Sequence, residues 1–339
     1  MHNLLPILLG LLTVVWGLPL SPKSEGTCST RTQRKPWQNL SNSERRSYIN
    51  ATLCLMSTPA KHDIPGAKTL WDELQYIHIY QSAYIHFVGA FLPWHRYYLA
   101  AHTALLRDAC GYRGPIPYWS EVSDQLNLKK AAVFGPESAF GGDGAGPDRC
   151  IADGPFAATR LHFKEDLTVE SSGYCIARNF SECLFTGAAQ PNLDACQAAR
   201  SYEEVRNCLE AKPHIAGHWG VGGTMSNTLL SPGDPLFFLH HAWLDLLWWQ
   251  WQSREPATRL VQIAGPNLPG AFPSTASNGS TTPTPGNRPL NRGLTDYFGD
   301  GGGNITTLSH RLWSAGILAN TTVGDVMDLG GAFVCTEYV

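Results

Sequence analysis

Residues 234–252 read DPLFFLHHAWLDLLWWQWQ, and two adjacent histidines stand in the middle of one of the most apolar stretches of the chain. The run opens on a proline and is long enough for a buried helix, so both imidazoles leave water with it. A buried polar ring without partners costs about 1–3 kcal/mol, and each ring therefore needs a hydrogen bond, a proton or a metal. Any fold open to this chain must bring polar groups or a metal ion into the middle of its own core.

The remaining histidines show which. Three of the twelve, His78, His86 and His95, fall in LQYIHIYQSAYIHFVGAFLPWHRYYL, with gaps of eight and nine residues. Those gaps do not keep one helical face. The expected arrangement is His78 late in one helix, His86 in the connection and His95 in the first turn of the next helix, three rings converging as a trigonal metal site requires. His214 and His218 in KPHIAGHWGVGG have i,i+4 spacing, which stacks them one turn apart on one face. A ligand from the His240–His241 helix would complete a second trio. Neutral imidazoles suit copper, zinc, iron or nickel, whereas calcium and magnesium favour oxygen. His62, His162 and His310 sit in polar or loop contexts and read as surface histidines, and His2 belongs to the leader described below.

Periodicity predicts helices over Ser43–Met56 (Ser43 as N-cap, with Leu53, Cys54 and Met56 inward), Thr69–Gln81, Trp94–Asp108 behind Pro93, Ser201–Ala211, Pro213–Trp219 and Pro235–Gln252. Gly111–Gly154, rich in Gly, Pro, Asp and aromatic residues, reads as long packed loops. Strand signals are few, so the fold class is mainly α. Residues 265–303 form a Pro/Gly-rich surface loop rather than a linker. The N-terminal run is apolar and too short and Pro-broken to span a bilayer, which predicts a signal peptide over 1–20 and a single domain over 21–339.

Nine scattered cysteines without CxxC spacing fit a disulfide framework with one thiol left over, and Cys28 could pair with Cys335 across the ends. Sequons at Asn39, Asn50, Asn179, Asn278, Asn304 and Asn320 agree with a secreted, extracellular glycoprotein. A net charge of -3 with no basic stripe argues against nucleic acid or an anionic membrane surface as partner. A small, roughly neutral ligand is expected, bound by a monomer or weak homodimer.

Four stretches, FLPWHRYYL (91–99), CGYRGPIPYW (110–119), DGPF (153–156) and DPLFFLHHAWLDLLW (234–248), resemble the type 3 copper proteins: tyrosinases, catechol oxidases and molluscan haemocyanin units. The similarity runs over almost all of 28–339 and is nearest to short secreted fungal tyrosinase-like polyphenol oxidases. It implies a central antiparallel four-helix bundle around two copper ions, with dioxygen as co-substrate and small phenols as substrates. Position by position it implies His78, His86 and His95 at copper A and His214, His218 and His241 at copper B, with His240 behind the site. Asp245, at i+4 from His241, stands within reach to orient that ring.

Several positions bear on the reaction. Glu210, four residues before His214, stands where tyrosinases place a glutamate thought to orient a water for monophenol deprotonation. Many relatives carry Asn after the first copper B histidine; here that residue is Ile215, and Trp219 follows His218. Thr228 replaces a bulkier residue above copper B. Tyr84 stands where many fungal relatives carry a thioether-forming Cys, and His102 replaces an acidic residue. These departures favour diphenol oxidation, with weak monophenol hydroxylation. Full tyrosinase activity and reversible oxygen carriage are the alternatives, the latter disfavoured because no C-terminal shielding domain is expected.

Overall fold

Ser41, and not Ser43, starts the first helix. Its hydroxyl accepts the Glu44 N–H at 3.2 Å while the Glu44 carboxylate accepts the Ser41 N–H at 2.7 Å, and only Ser41 has a glutamate three residues on to close that reciprocal box. The helix, α1, spans Asn42–Ser57; it buries Tyr48, Ile49, Ala51, Thr52 and Leu55, while Leu53, Cys54 and Met56 are half-buried at the flank. The computed structural model describes residues 28–268 and 304–339. The expected leader, Asn278 and most of the 265–303 excursion lie outside the described residues.

The chain continues through α2 (Leu70–Ile85), capped by Thr69 and Asp72, and α3 (Phe91–Asp108). Pro93 lies in the first turn of α3, where a missing N–H leaves no intrahelical bond unmade. Next come α4 (Glu182–Phe185), α5 (Gln190–Gln197), α6 (Tyr202–Leu209), α7 (Ile215–Val221), α8 (Leu236–Gln252), α9 (Pro256–Arg259) and α10 (Val323–Val326). The two helices expected around 201–219 are one continuous segment. A π-helical turn over Glu210–His214 joins α6 to α7 and contains Pro213; the wider turn accommodates a residue that cannot donate to the ladder.

Strands are short. β1 (Thr32–Pro36) pairs in parallel with β2 (Ile116–Tyr118) and with β9 (Thr336–Tyr338), and hairpins β3 (Gly144–Ala145)/β4 (Cys150–Ile151), β5 (Leu161–Phe163)/β6 (Val169–Tyr174) and β7 (Arg311–Leu312)/β8 (Thr321–Thr322) decorate the loops. The β1–β9 pairing sets residues near both ends side by side, and the disulfide Cys28–Cys335 fastens them as expected. Cys54–Cys110, Cys150–Cys175 and Cys196–Cys208 are also joined, leaving Cys183 free and exposed. The architecture is mainly α, as expected, with the helices around a core that fully buries Trp37, Trp94, Trp119, Trp248 and Trp251.

Buried charge ties the terminal strands to α8. Asp245 accepts from Arg96 Nε at 2.5 Å and from Arg34, and it shares the single hydroxyl proton of Tyr338 (Oη at 2.8 Å) with the Ala242 carbonyl, 2.6 Å from the same Oη. Burial alone would raise the Asp245 carboxyl, but Arg96 and Arg34 outweigh it and hold it below the usual range. The Arg96 guanidinium also lies 3.8 Å over the Trp248 ring.

His102 is packing. It stacks on Phe238 with ring centroids 3.8 Å apart, it is fully buried, and neither ring nitrogen has a hydrogen-bond partner. Burial, helped by the nearby Arg34 charge, pushes it down to about 3. Below pH 6.5 the unfolded chain takes a proton that the folded chain refuses, so stability falls with pH from there toward the folded value. The loss should reach about 2 kcal/mol by pH 5. His102→Phe should therefore melt higher at pH 7, by about 1–3 kcal/mol of relieved desolvation, and its advantage should widen at pH 5. Urea melts of both proteins at the two pH values check this; an unchanged or narrowing gap would count against it.

Candidate metal centre

Each histidine of the first group is placed by a different local device. His78 lies in the middle of α2, earlier than expected; His86 is the residue that ends α2, and His95 is one turn into α3. Their ligand-capable nitrogens lie within 4.8 Å of one another. The second group is His214 at the end of the π-turn, His218 on α7, and His240 and His241 on α8, again within 4.8 Å. All seven rings are buried.

Hydrogen bonding decides which nitrogen faces inward. The Nδ1 atoms of His78, His86, His95, His214 and His218 lie 2.6–3.2 Å from the carbonyl oxygens of Leu229, Ser82, Phe91, Glu210 and Met225. A carbonyl only accepts, so each of these rings donates from Nδ1 and keeps a lone pair on Nε2. The Nε2 atoms of His78, His95, His214 and His240, and Nδ1 of His241, are buried with no hydrogen-bond partner. Burial and neighbouring rings push His78, His95, His214 and His241 well below the ordinary imidazole value, while His86 falls to about 4 and His218 to about 3, chiefly through burial. Neutral rings with free, converging lone pairs are what a transition metal needs.

The two groups touch. His95 and His241 stack with centroids 4.2 Å apart and planes 7° from parallel, and His86 faces His214 at 6.0 Å. Phe91 packs against His95 and His214, both at 4.8 Å, and Phe237 lies 4.1 Å from His241 and 5.1 Å from His78. With Trp94, also buried, they screen the rings from water.

Asp245 does not reach His241. Its oxygens are taken by Arg34, Arg96 and Tyr338, which correct the expectation drawn from the i+4 spacing. The carboxylate that meets the histidine pair comes from a residue the sequence did not single out: Glu121 bonds Nδ1 of His240, with both side chains fully buried. Gly217 makes the room, since a Cβ there would stand 2.3 Å from the His240 ring. Glu210 accepts the Phe87 N–H at 2.6 Å and the Arg206 guanidinium at 3.0 Å. Burial pushes it up to about 7, against the pull of those two donors. Ile215 is half-buried and Trp219 is 51% exposed, one turn further along α7. Thr228 is exposed in the turn before Leu229. His62 and His162 are half-buried and bonded to Glu73 and Asp72, and His310 is buried rather than on the surface.

Two facing sets of buried neutral imidazoles in a mainly helical fold make a pocket suited to a pair of transition-metal ions. Residues 68–254 match the common central domain of tyrosinase, and the chain belongs to that family, whose members are type 3 copper oxidases with a dinuclear copper cofactor. It is 36% identical to a tyrosinase-like protein of Diaporthe leptostromiformis over 263 residues, covering 70% of this chain and 68% of the relative. With a tyrosinase of Aspergillus flavus it shares 30% identity, covering 92% and 80% of the two chains. An N-acetyl-6-hydroxytryptophan oxidase of Emericella nidulans is 28% identical, covering 90% and 91%. A polyphenol oxidase from Thermothelomyces thermophila has the same fold, with TM-score 0.73 and 23% identity over 91% of this chain and 89% of that one.

Proposed function

We propose that this protein is a secreted dinuclear copper oxidase that converts o-diphenols to o-quinones and also takes substituted phenols or aminophenols, the latter giving o-quinone imines. His78, His86 and His95 would hold copper A, and His214, His218 and His241 copper B. The bound pair supplies the redox step: two diphenols give up four electrons and four protons, and one dioxygen becomes two waters. Four disulfides and five exposed sequon asparagines (39, 50, 179, 304 and 320) support passage through an oxidising secretory route.

The chain's own groups do the rest. Backbone carbonyls lock five rings in the tautomer that offers Nε2, so little reorganisation accompanies metal binding. Phe91, Phe237 and Trp94 keep the centre dry. Ile215 and Trp219, at i,i+4 on α7, form an apolar edge beside His214 and His218 against which a phenol ring can lie, and the small Thr228 leaves space for ring substituents.

One observation carries the preference for diphenols: the residue after His214 is the apolar Ile215, which offers no amide to hold a water against the Glu210 carboxylate. A monophenol needs a positioned base or water to lose its proton; an o-diphenol brings two acidic hydroxyls and depends less on one. Copper-loaded protein in an oxygen electrode should oxidise 4-tert-butylcatechol and L-DOPA quickly and tyrosine slowly or after a lag. Ile215→Asn should raise the tyrosine-to-L-DOPA ratio several-fold, since each carboxylate oxygen of Glu210 keeps a lone pair that a water held by the new amide can use. Tyrosine turned over as fast as L-DOPA by the wild type overturns the assignment, and oxygen bound without quinone formation would mark a carrier.

A further inference from the structure

His86 lies on the segment between α2 and α3, and that segment is held from outside. Phe87, the next residue, has φ +58°, a left-handed conformation that costs a non-glycine residue about 1–2 kcal/mol and persists only when its surroundings impose it. Two bonds from the α6–π-turn segment do so. The Phe87 N–H donates to Glu210 Oε1 at 2.6 Å, and the Tyr202 hydroxyl donates to the Gly89 carbonyl at 2.6 Å. Glu210 is itself fixed by Arg206, whose Nη1 donates to Oε2 at 3.0 Å; both side chains are buried. The Glu210 backbone carbonyl meanwhile accepts from Nδ1 of His214 at 3.2 Å. One residue thus touches the neighbour of His86 with its side chain and His214 with its main chain.

We infer that Glu210, braced by Arg206, is a positioning residue: a clasp that holds the His86 segment against the helix bearing His214 and so sets one metal position relative to the other. The inference rests on the reading of His86 and His214 as copper ligands. It assigns Glu210 work that is independent of any water it orients. A clasp acts unequally on the two metals, because releasing Phe87 loosens the backbone next to His86, whereas His214 and His218 stay on the π-turn and α7 with their Nδ1 bonds to backbone carbonyls unchanged.

The test is copper release. Wild type, Glu210→Gln and Glu210→Leu are loaded with two equivalents of copper, checked for folding by circular dichroism, and challenged with a chelator. Glu210→Gln keeps a carbonyl for the Phe87 N–H but loses the charge facing Arg206, and Glu210→Leu loses both. We expect two-phase release, with one copper leaving about 10-fold faster in Glu210→Gln and about 100-fold faster in Glu210→Leu, the range typical of groups behind a ligand. The other copper should leave at the wild-type rate. Equal acceleration of both coppers would mean general destabilisation and overturns the clasp, as do wild-type rates for both coppers with only tyrosine hydroxylation lost. If Glu210→Leu does not fold, the two phases of Glu210→Gln decide alone. A wild type that never takes up two coppers strikes the ligand reading instead.

Discussion

Gly217→Ala should abolish catechol oxidation and empty the copper B position, although in isolation the change favours a helix by about 1 kcal/mol. A Cβ at 217 would stand 2.3 Å from Cε1 and Nδ1 of His240 and 2.7 Å from Oε1 of Glu121. None of these atoms has room to yield: the His240 ring and the Glu121 carboxyl are fully buried and bonded to each other. The helix must move instead, carrying His214 and His218 away from α8. Overpacking of this kind costs about 1–3 kcal/mol or more in stability, and a displaced ligand pair should cost at least about 100-fold in activity. Gly142, where a Cβ would meet nothing nearer than 3.5 Å, supplies the control: Gly142→Ala should keep both coppers and near-normal turnover. Metal content and oxygen uptake of the two variants measure the difference, and a Gly217→Ala protein with two coppers and full activity would refute the packing account.

The second large effect separates the paired histidines on α8. His241 stacks on His95 of the other group and its Nε2 lies 3.3 Å from Nε2 of His218, so it touches both sides of the centre. His240 contacts His214, His218 and His241, and its Nδ1 is bound to Glu121. His241→Ala should remove one copper and essentially all turnover, because three imidazoles become two. His240→Ala should keep both coppers and lose about 10–100-fold in activity or affinity, as groups behind a ligand typically do. If His240→Ala loses the metal and His241→Ala retains it, the ligand register is off by one residue.

The helices and the histidine groups were legible because both are local or periodic. The i,i+4 step of His214 and His218 survives the π-turn because the turn ends at His214, and the apolar run around His240 and His241 could only be a buried helix. The caps are half-legible: Thr69 stands at the predicted start of its helix, whereas the first helix is capped by Ser41 rather than the expected Ser43, because only Ser41 has a glutamate three residues on. Long-range partners were not legible. Glu121 meets His240 across 119 positions, brought there by the segment after β2, whose Trp119 N–H donates to the Leu239 carbonyl of α8 at 3.1 Å. The same limit explains Asp245, whose i+4 spacing offered a plausible partner while Arg34 and Tyr338, on strands near the two ends of the chain, claimed the carboxylate. The carbonyls that fix the ring tautomers, at Leu229 and Met225 in the loop before α8, left no mark in the sequence at all. A buried histidine with no partner, as His102 proved to be, looks the same in sequence as a ligand.

The central claim is that six imidazoles hold two coupled copper ions, and metal analysis with electron paramagnetic resonance on the purified, copper-loaded protein tests it most directly. About two coppers per chain are expected and, in the oxidised state, little paramagnetic signal, because paired Cu(II) ions couple. A single bound zinc, or one copper per chain with the full signal of an isolated Cu(II), would contradict it.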